Sequence, residues 1–150
     1  MKISKAVLAL LLATLACGRP TASADVQNGD NTVGEIASGL ASSLEVEVTG
    51  GNVRLVLRVT NPTDQPITLE FSSGQQYDFA VREAGGADVW RWSADKSFMQ
   101  MLSSHTLSPG DTLEFAEVWN AGDRKGSFEA IGALTSSNRP IEETARFEIR

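Results

Sequence analysis

Strict alternation of apolar and charged residues on both sides of two glycines is the feature that most limits the fold of this chain. The segment from Leu44 to Val59 reads LEVEVTGGNVRLVLRV, with an apolar residue at every second position on either side of Gly50 and Gly51. A period of two places alternate side chains on opposite faces of a strand, and paired glycines accept the positive φ angles of a tight turn. The segment therefore predicts a β-hairpin with one buried face.

The hairpin also predicts its own register. Folding the chain about the two glycines sets apolar residues opposite one another on one face and opposite charges on the other: Val48 with Val53, Val46 with Leu55, Leu44 with Leu57, and Glu47 with Arg54. A slip of one residue would move every apolar side chain to the solvent face. The turn, the apolar pattern and the charge pattern thus favour the same register.

The remainder of the chain continues with short alternating segments separated by turn sequences such as NPTDQP, EAGGAD and SPGD. In SPGD (108–111), Pro109 and Gly110 suit the central positions of a type II turn. No segment has a helical period. Seven to nine short strands over residues 44–150 predict an all-β fold, an immunoglobulin-like antiparallel β-sandwich.

The N-terminal residues have the pattern of a bacterial export signal. Lys2 and Lys5 precede a charge-free apolar run, AVLALLLATLA, that is too short to cross a bilayer as a stable helix. Residues 1–16 are therefore predicted to be a lipoprotein-type signal peptide that ends before Cys17. The alternative is ordinary cleavage after Ala24, within ASAD (22–25).

Residues 17–43 are predicted to be a lipidated cysteine followed by a flexible tether, since the segment is rich in small and polar residues. Acyl chains on Cys17 would anchor the protein to the cell envelope. In a bacterium with two membranes, Gly18 after the cysteine favours the outer membrane. Under the alternative cleavage the protein would be periplasmic or secreted.

Composition disfavours several classes of function. A formal charge of −6 and a pI near 4.8 oppose binding to nucleic acid. His105 is the single histidine and Cys17 the single cysteine, so the usual zinc ligand sets are missing, and no G-x-S-x-G or calcium-loop motif occurs. We therefore expect no enzyme, metal or cofactor, and we expect Glu142 and Glu143 to lie on a solvated face.

The stretch VWRWSADKSFMQML (89–102) contains two different apolar groups. Trp90 and Trp92 are two residues apart in a predicted strand, so both face the same way, and we expect that face to be the core rather than a binding surface. Trp119 is expected to be buried as well, while Arg91 points to solvent or pairs with an acid on the adjacent strand.

The second group follows the polar break SADKS and consists of Phe98, Met99, Met101 and Leu102. Its spacing fits neither strict alternation nor a helix. Two alternatives remain: the group caps one end of the sandwich, or it forms a loop presented to a protein partner. These four residues are the candidate protein-binding site.

Several blocks of the sequence, among them SSGQQYDFAVRE, VWRWSADKSF and LSPGDTLEFAEVWN, resemble the BsuPI-type intracellular proteinase inhibitor family from about Leu44 to Arg150. The resemblance implies an immunoglobulin-like β-sandwich that inhibits subtilisin-type serine proteases without catalysing a reaction. The export signal departs from the family's intracellular description. An envelope adaptor or ligand-binding module without inhibitory activity is therefore the alternative function.

Overall fold

A computed structural model describes residues 39–150, and the predictions for residues 1–38, including Cys17, lie outside that range. The described residues form nine β-strands: β1 (Ala41–Thr49), β2 (Asn52–Thr60), β3 (Ile67–Phe71), β4 (Tyr77–Glu83), β5 (Asp88–Arg91), β6 (Ser103–Leu107), β7 (Thr112–Asn120), β8 (Gly126–Leu134) and β9 (Ile141–Ile149). Within this range no helix is long and apolar enough to cross a membrane.

The hairpin of β1 and β2 has the predicted register, including Leu44 opposite Leu57 and Glu47 opposite Arg54. Gly50 and Gly51 have φ angles of 53° and 82°, the positive values that the tight turn requires. On the charged face, Arg58 contacts Glu45 at 2.6 Å and Glu114 of β7 at 2.9 Å, so one guanidinium links three strands.

Two antiparallel sheets form the layers of the domain. One has the order β1-β2-β7 and the other β5-β4-β8-β9, and β1 packs against β9 while β2 packs against β8. The inward side chains of both sheets make a shared apolar core that includes Leu55, Leu57, Phe79 and Phe128. The prediction of an all-β antiparallel fold with seven to nine strands is confirmed, since nine are present in residues 39–150, and the layers are sandwich-like, while the immunoglobulin-like subtype stays a prediction.

The pair β3 and β6 forms a separate two-stranded sheet. Buried Asn61, directly after β2, holds this pair in place by donating to the carbonyl oxygens of Gln65 at 2.8 Å and Leu107 at 3.0 Å. The turn before β7 matches the type II expectation, because Gly110 has a φ of 81° and the Asp111 N–H donates to the Ser108 carbonyl at 3.0 Å.

The domain begins earlier than the predicted boundary at Leu44. Leu40 is fully buried and β1 starts at Ala41, so residues 40–43 belong to the sandwich and not to a tether. Residues 41–43 are small or polar, so the sequence shows no alternation of apolar residues that would mark the start of the strand. The hydroxyl of buried Ser42 faces inward and donates to Glu143 on β9 at 2.5 Å.

That contact also corrects the prediction for the acidic pair on β9. Glu142 is exposed as expected, but Glu143 is buried, because it shares the parity of Ala145 and Phe147, which face the core. The hydrogen bond from Ser42 offsets part of the cost of removing the carboxylate from water.

The tryptophans follow the prediction in part. Trp119 is buried, whereas Trp90 on β5 is half-buried against the core. Trp92 is half-buried too, but β5 ends at Arg91, so the expectation that Trp92 lies in the strand is wrong. Arg91 pairs with Asp78 on the adjacent strand β4, as one of the two expectations stated.

Candidate protein-binding loop

The connection between β5 and β6, residues 92–102, carries the four candidate side chains and is called the 92–102 loop below. Met99, Met101 and Leu102 are 76%, 52% and 87% exposed, so the capping alternative is wrong for these three residues. Phe98 is half-buried and faces Trp92. The loop therefore presents three large apolar side chains to solvent, while its aromatic residues Trp92 and Phe98 are half-buried.

An aromatic stack made of Phe115, Tyr77, Trp92 and Phe98 supports the loop. Successive ring centroids lie 4.6 Å, 4.3 Å and 5.7 Å apart, and the first two pairs are stacked with interplanar angles of 24° and 27°. Each such pair contributes about 0.5–1.5 kcal/mol beyond the burial of its area. The stack joins β7, β4 and the 92–102 loop, and so it ties the loop to both large sheets.

Tyr77 adds a polar bond to the stack. Its hydroxyl donates to Oε1 of Glu117 at 2.7 Å. Burial raises the pKa of Tyr77, and the bond to the Glu117 carboxylate raises that pKa further. Tyr77 therefore stays a neutral donor at physiological pH, and the two sheets are joined by a hydrogen bond beside the stacked rings.

Asp78, the next residue on β4, fixes the first turn of the loop from the opposite face. Its carboxylate, which is buried, accepts from Nη1 of Arg91 at 2.9 Å and from the N–H and hydroxyl of Ser93 at 3.2 Å and 2.7 Å. Trp92 lies between Arg91 and Ser93 in the chain, and its N–H donates to the carbonyl of Phe79 at 2.9 Å. Hydrogen bonds to the carboxylates of Asp88 and Asp78 raise the pKa of Arg91 and hold its guanidinium in place.

The far part of the loop is held through its main chain. The N–H of Gly74, in the β3–β4 connection, donates to the carbonyl of Met99 at 2.9 Å. The carbonyl of Met101 accepts no main-chain hydrogen bond from the described residues 39–150. The loop thus has a fixed backbone at Met99 and a free carbonyl at Met101, while both side chains are exposed.

A hollow of about 390 Å³ lies where the loop meets β6. Its walls combine one apolar side chain of the loop, one of β3 and several polar groups: Leu102, Phe71, Glu70, Ser103, Ser104 and Ser137. The hollow is continuous with the exposed part of the loop because Leu102 forms one of its walls.

The sequence motifs had pointed to this region without revealing its contacts. Tyr77 and Asp78 lie in the block SSGQQYDFAVRE and Trp92 and Ser93 in VWRWSADKSF, and these blocks are joined by the stack and by the carboxylate. Glu117 was not singled out, although its parity with Phe115 and Trp119 places it on the inward face of β7. His105 is exposed on β6, and no cluster of metal-ligating side chains occurs within residues 39–150.

Comparison with known proteins identifies the family of the chain. The model of the family described as "BsuPI: Intracellular proteinase inhibitor" matches residues 40–139. The match covers most of the chain and all of the loop and its supports, so the chain belongs to the BsuPI proteinase inhibitor family. No curated protein matches the sequence.

Solved structures resemble the chain at low similarity. They include β-glucosidase 3B from Thermotoga neapolitana (17% identity, 71% of this chain and 16% of that one, TM-score 0.35) and the β-glucosidase from Kluyveromyces marxianus (13%, 70% and 13%, TM-score 0.37). A third is the GAE domain of GGA2p from Saccharomyces cerevisiae (15%, 81% and 98%, TM-score 0.28). The chain spans less than a fifth of either β-glucosidase, and TM-scores this low support no conclusion about fold or function.

Proposed function

We propose that this domain inhibits a subtilisin-type serine protease by inserting the exposed side chains of the 92–102 loop into the active-site cleft. Membership of the BsuPI family supports an inhibitory function. The observation that carries the choice of site is the exposure of Met99, Met101 and Leu102 on a loop whose backbone is fixed at both ends. An inhibitor loop that is ordered before binding loses little conformational entropy in the complex.

The main-chain contacts favour Met101 as the side chain that fills the main specificity pocket. In a substrate-like complex, the carbonyl oxygen of the pocket residue must reach the protease's oxyanion donors. The carbonyl of Met99 is already engaged by Gly74, whereas that of Met101 accepts no main-chain bond within the described part of the chain. Pockets of this protease type accept large unbranched apolar groups, and a thioether side chain suits them.

Titration of subtilisin with the full chain tests the proposal. Wild type should cause a stoichiometric, saturable loss of protease activity. Met101→Asp should weaken inhibition at least about 30-fold, because a pocket-filling anchor contributes about 2 kcal/mol or more. Met99→Asp should weaken it less. Since both side chains are exposed, each variant should keep its thermal midpoint within a few degrees.

Val118→Asp is the matched control, because Val118 is a 56% exposed apolar residue on β7 outside the loop. This variant should inhibit as wild type does. Equal losses for Val118→Asp and Met101→Asp would contradict the choice of the loop. A folded wild-type chain that leaves subtilisin fully active in molar excess would contradict this protease type as the target.

We further propose that the protein is exported and anchored in the cell envelope by lipid on Cys17. The apolar run that ends at Ala16, directly before the cysteine, supports this address. Acyl labelling and partitioning into detergent should both be lost in Cys17→Ser and retained in Ser23→Ala. A native mature N-terminus at Asp25 would contradict lipid attachment.

A further inference from the structure

The strand that follows the loop has an open edge. β6 (Ser103–Leu107) pairs with β3, and within residues 39–150 no strand pairs with its other side. Ser104, His105 and Thr106 are all exposed. In a strand, residues whose main-chain groups bond to one neighbour alternate with residues whose main-chain groups point to the other side. The residues of β6 that do not bond to β3 therefore direct their N–H and C=O groups to the open edge.

The bonds of β3 identify those residues. The Glu70 N–H donates to Oδ1 of Asn138 at 3.0 Å, and the Glu70 carbonyl accepts from the Ser137 N–H at 2.8 Å. The Thr68 carbonyl accepts from Nδ2 of Asn138 at 2.9 Å. Glu70 and Thr68 therefore direct their main-chain groups away from β6.

In an antiparallel ladder, facing residues alternate between pairs that exchange hydrogen bonds and pairs whose main-chain groups point away from each other. Ser104 faces Glu70, and Thr106 faces Thr68. Both pairs are thus of the second kind, which agrees with the 3.1 Å separation of the two threonine hydroxyls. The N–H and C=O groups of Ser104 and Thr106 consequently point to the open edge.

Charge distinguishes β6 from the other edges. The outer strands of the two larger sheets each carry at least two charged side chains: Glu45 and Glu47 on β1, Asp88 and Arg91 on β5, Glu114 and Glu117 on β7, and Arg146 and Glu148 on β9. β6, with the sequence SSHTL, has no Asp, Glu, Lys or Arg. Charged side chains are a usual protection against unwanted strand pairing, and β6 lacks this protection.

We propose that an extended segment of the target protease adds to the open edge of β6 as a further strand, with main-chain hydrogen bonds to Ser104 and Thr106. The inference rests on the proposed inhibitory function and extends its contact surface. Two donors and two acceptors at alternate residues match the main chain of another strand. Met101 and Leu102 precede β6 directly, so side-chain anchoring and strand addition form one continuous surface.

Thr106→Pro in the full chain tests the strand addition. Proline removes the N–H that points outward and breaks no main-chain bond to β3; besides that N–H it removes only the hydroxyl contact to Thr68, so the fold should be retained. Inhibition of subtilisin should weaken at least tenfold. Thr68→Val is the matched control, because it removes the same hydroxyl contact from the β3 side and leaves β6 unchanged, and it should inhibit as wild type does.

Amide hydrogen exchange gives a second measurement that needs no substitution. In the complex with subtilisin whose catalytic serine is replaced by alanine, which leaves the cleft open but prevents cleavage, the amides of Ser104 and Thr106 should exchange at least tenfold more slowly than in the free chain. The amide of His105, which belongs to a bonded pair with Leu69, should be slow in both. If Thr106→Pro does not fold, the exchange measurement by itself tests whether a strand adds to β6.

The outcomes separate the two proposals. A wild-type chain that neither binds nor inhibits subtilisin would overturn the proposed function and this inference with it. Inhibition that survives in folded Thr106→Pro, with unchanged exchange at Ser104 and Thr106, would overturn strand addition and leave inhibition standing. Protection of the two amides in the free chain that depends on concentration would assign the edge to a second copy instead of the protease.

Discussion

Tyr77 and Asp78 are neighbours on β4 that point to opposite faces and hold the 92–102 loop by different means. Tyr77 supplies a ring between Phe115 and Trp92, and its hydroxyl is bonded to Glu117. Asp78 supplies a buried carboxylate that accepts from Arg91 at the end of β5 and from Ser93 in the turn that follows. Because one residue packs and the other bonds, the loop backbone is fixed while its apolar tips remain in solvent.

The raised pKa of Tyr77 predicts a pH effect. The folded state holds the phenolic proton more tightly than the unfolded chain, whose tyrosine titrates near pH 10. The stabilisation is therefore fully present below about pH 10 and is lost as the pH rises through the folded-state pKa. The chain has one tyrosine, so its near-ultraviolet titration reports on Tyr77 without interference.

We expect the native protein to show little tyrosinate at pH 10 and a steep increase when it unfolds at higher pH. Glu117→Gln should lower the pKa of Tyr77 but leave it above the usual value, because burial is the larger cause. Half-ionisation of the native protein near pH 10 would contradict the buried bonded hydroxyl.

At the scale of elements, the β1–β2 turn packs against a turn that is far away in the sequence. Gly51 lies against the turn between β7 and β8, where its carbonyl accepts from the Ala121 N–H at 2.9 Å. A Cβ at Gly51 would lie 2.9 Å from the carbonyl oxygen of Gly122, whereas a Cβ at Gly50 would meet no atom within 4 Å.

Alanine at the two glycines should therefore have unequal effects. Both positions have positive φ, which costs an L residue about 1–2 kcal/mol. Gly50→Ala should lose about that much stability, and Gly51→Ala should lose more, because the backbone at Gly122 must also move. Denaturant unfolding of the two variants measures the difference, and equal losses would show that the hairpin turn does not pack closely against the β7–β8 turn.

Across the whole domain, the contact between β1 and β9 closes the sandwich at its N-terminal strand. Leu40 is fully buried just before β1, and the hydroxyl of Ser42 bonds to the carboxylate of Glu143 across the two sheets. Leu40 and Ser42 both precede Leu44, so the start of the alternating pattern does not coincide with the start of the domain.

A chain that begins at Leu44 should consequently be less stable than one that begins at Gly39. It loses a buried leucine, a change worth about 2–5 kcal/mol, and leaves Glu143 without the Ser42 donor. The chain from Gly39 is the control and should fold by itself. Thermal and denaturant unfolding measure the difference, and equal stability would contradict the structural importance of residues 40–43.

Most of the strands, the β1–β2 register and the family could be predicted from the amino-acid sequence, but β6, which was expected to be a loop, and the end of β5 could not. The features that could be predicted depend on residues that are close together in the chain. The alternation of apolar and polar residues indicates which face of a strand is buried, and Gly50-Gly51 marks the position where the chain reverses. The sequence also singled out Phe98, Met99, Met101 and Leu102 as an apolar group without regular spacing, although it left a cap and a loop as alternatives.

The packed structure showed that Met99, Met101 and Leu102 are exposed and do not form a cap, and it supplied the polar contacts. Tyr77 and Glu117 are 40 residues apart, Asp78 and Ser93 are 15 apart, and Ser42 and Glu143 are 101 apart. A period of two shows that Glu143 and Glu117 face inward but does not show which side chain meets them there. The partner depends on which strands lie opposite across the sandwich, and only the packing of the two sheets determines that.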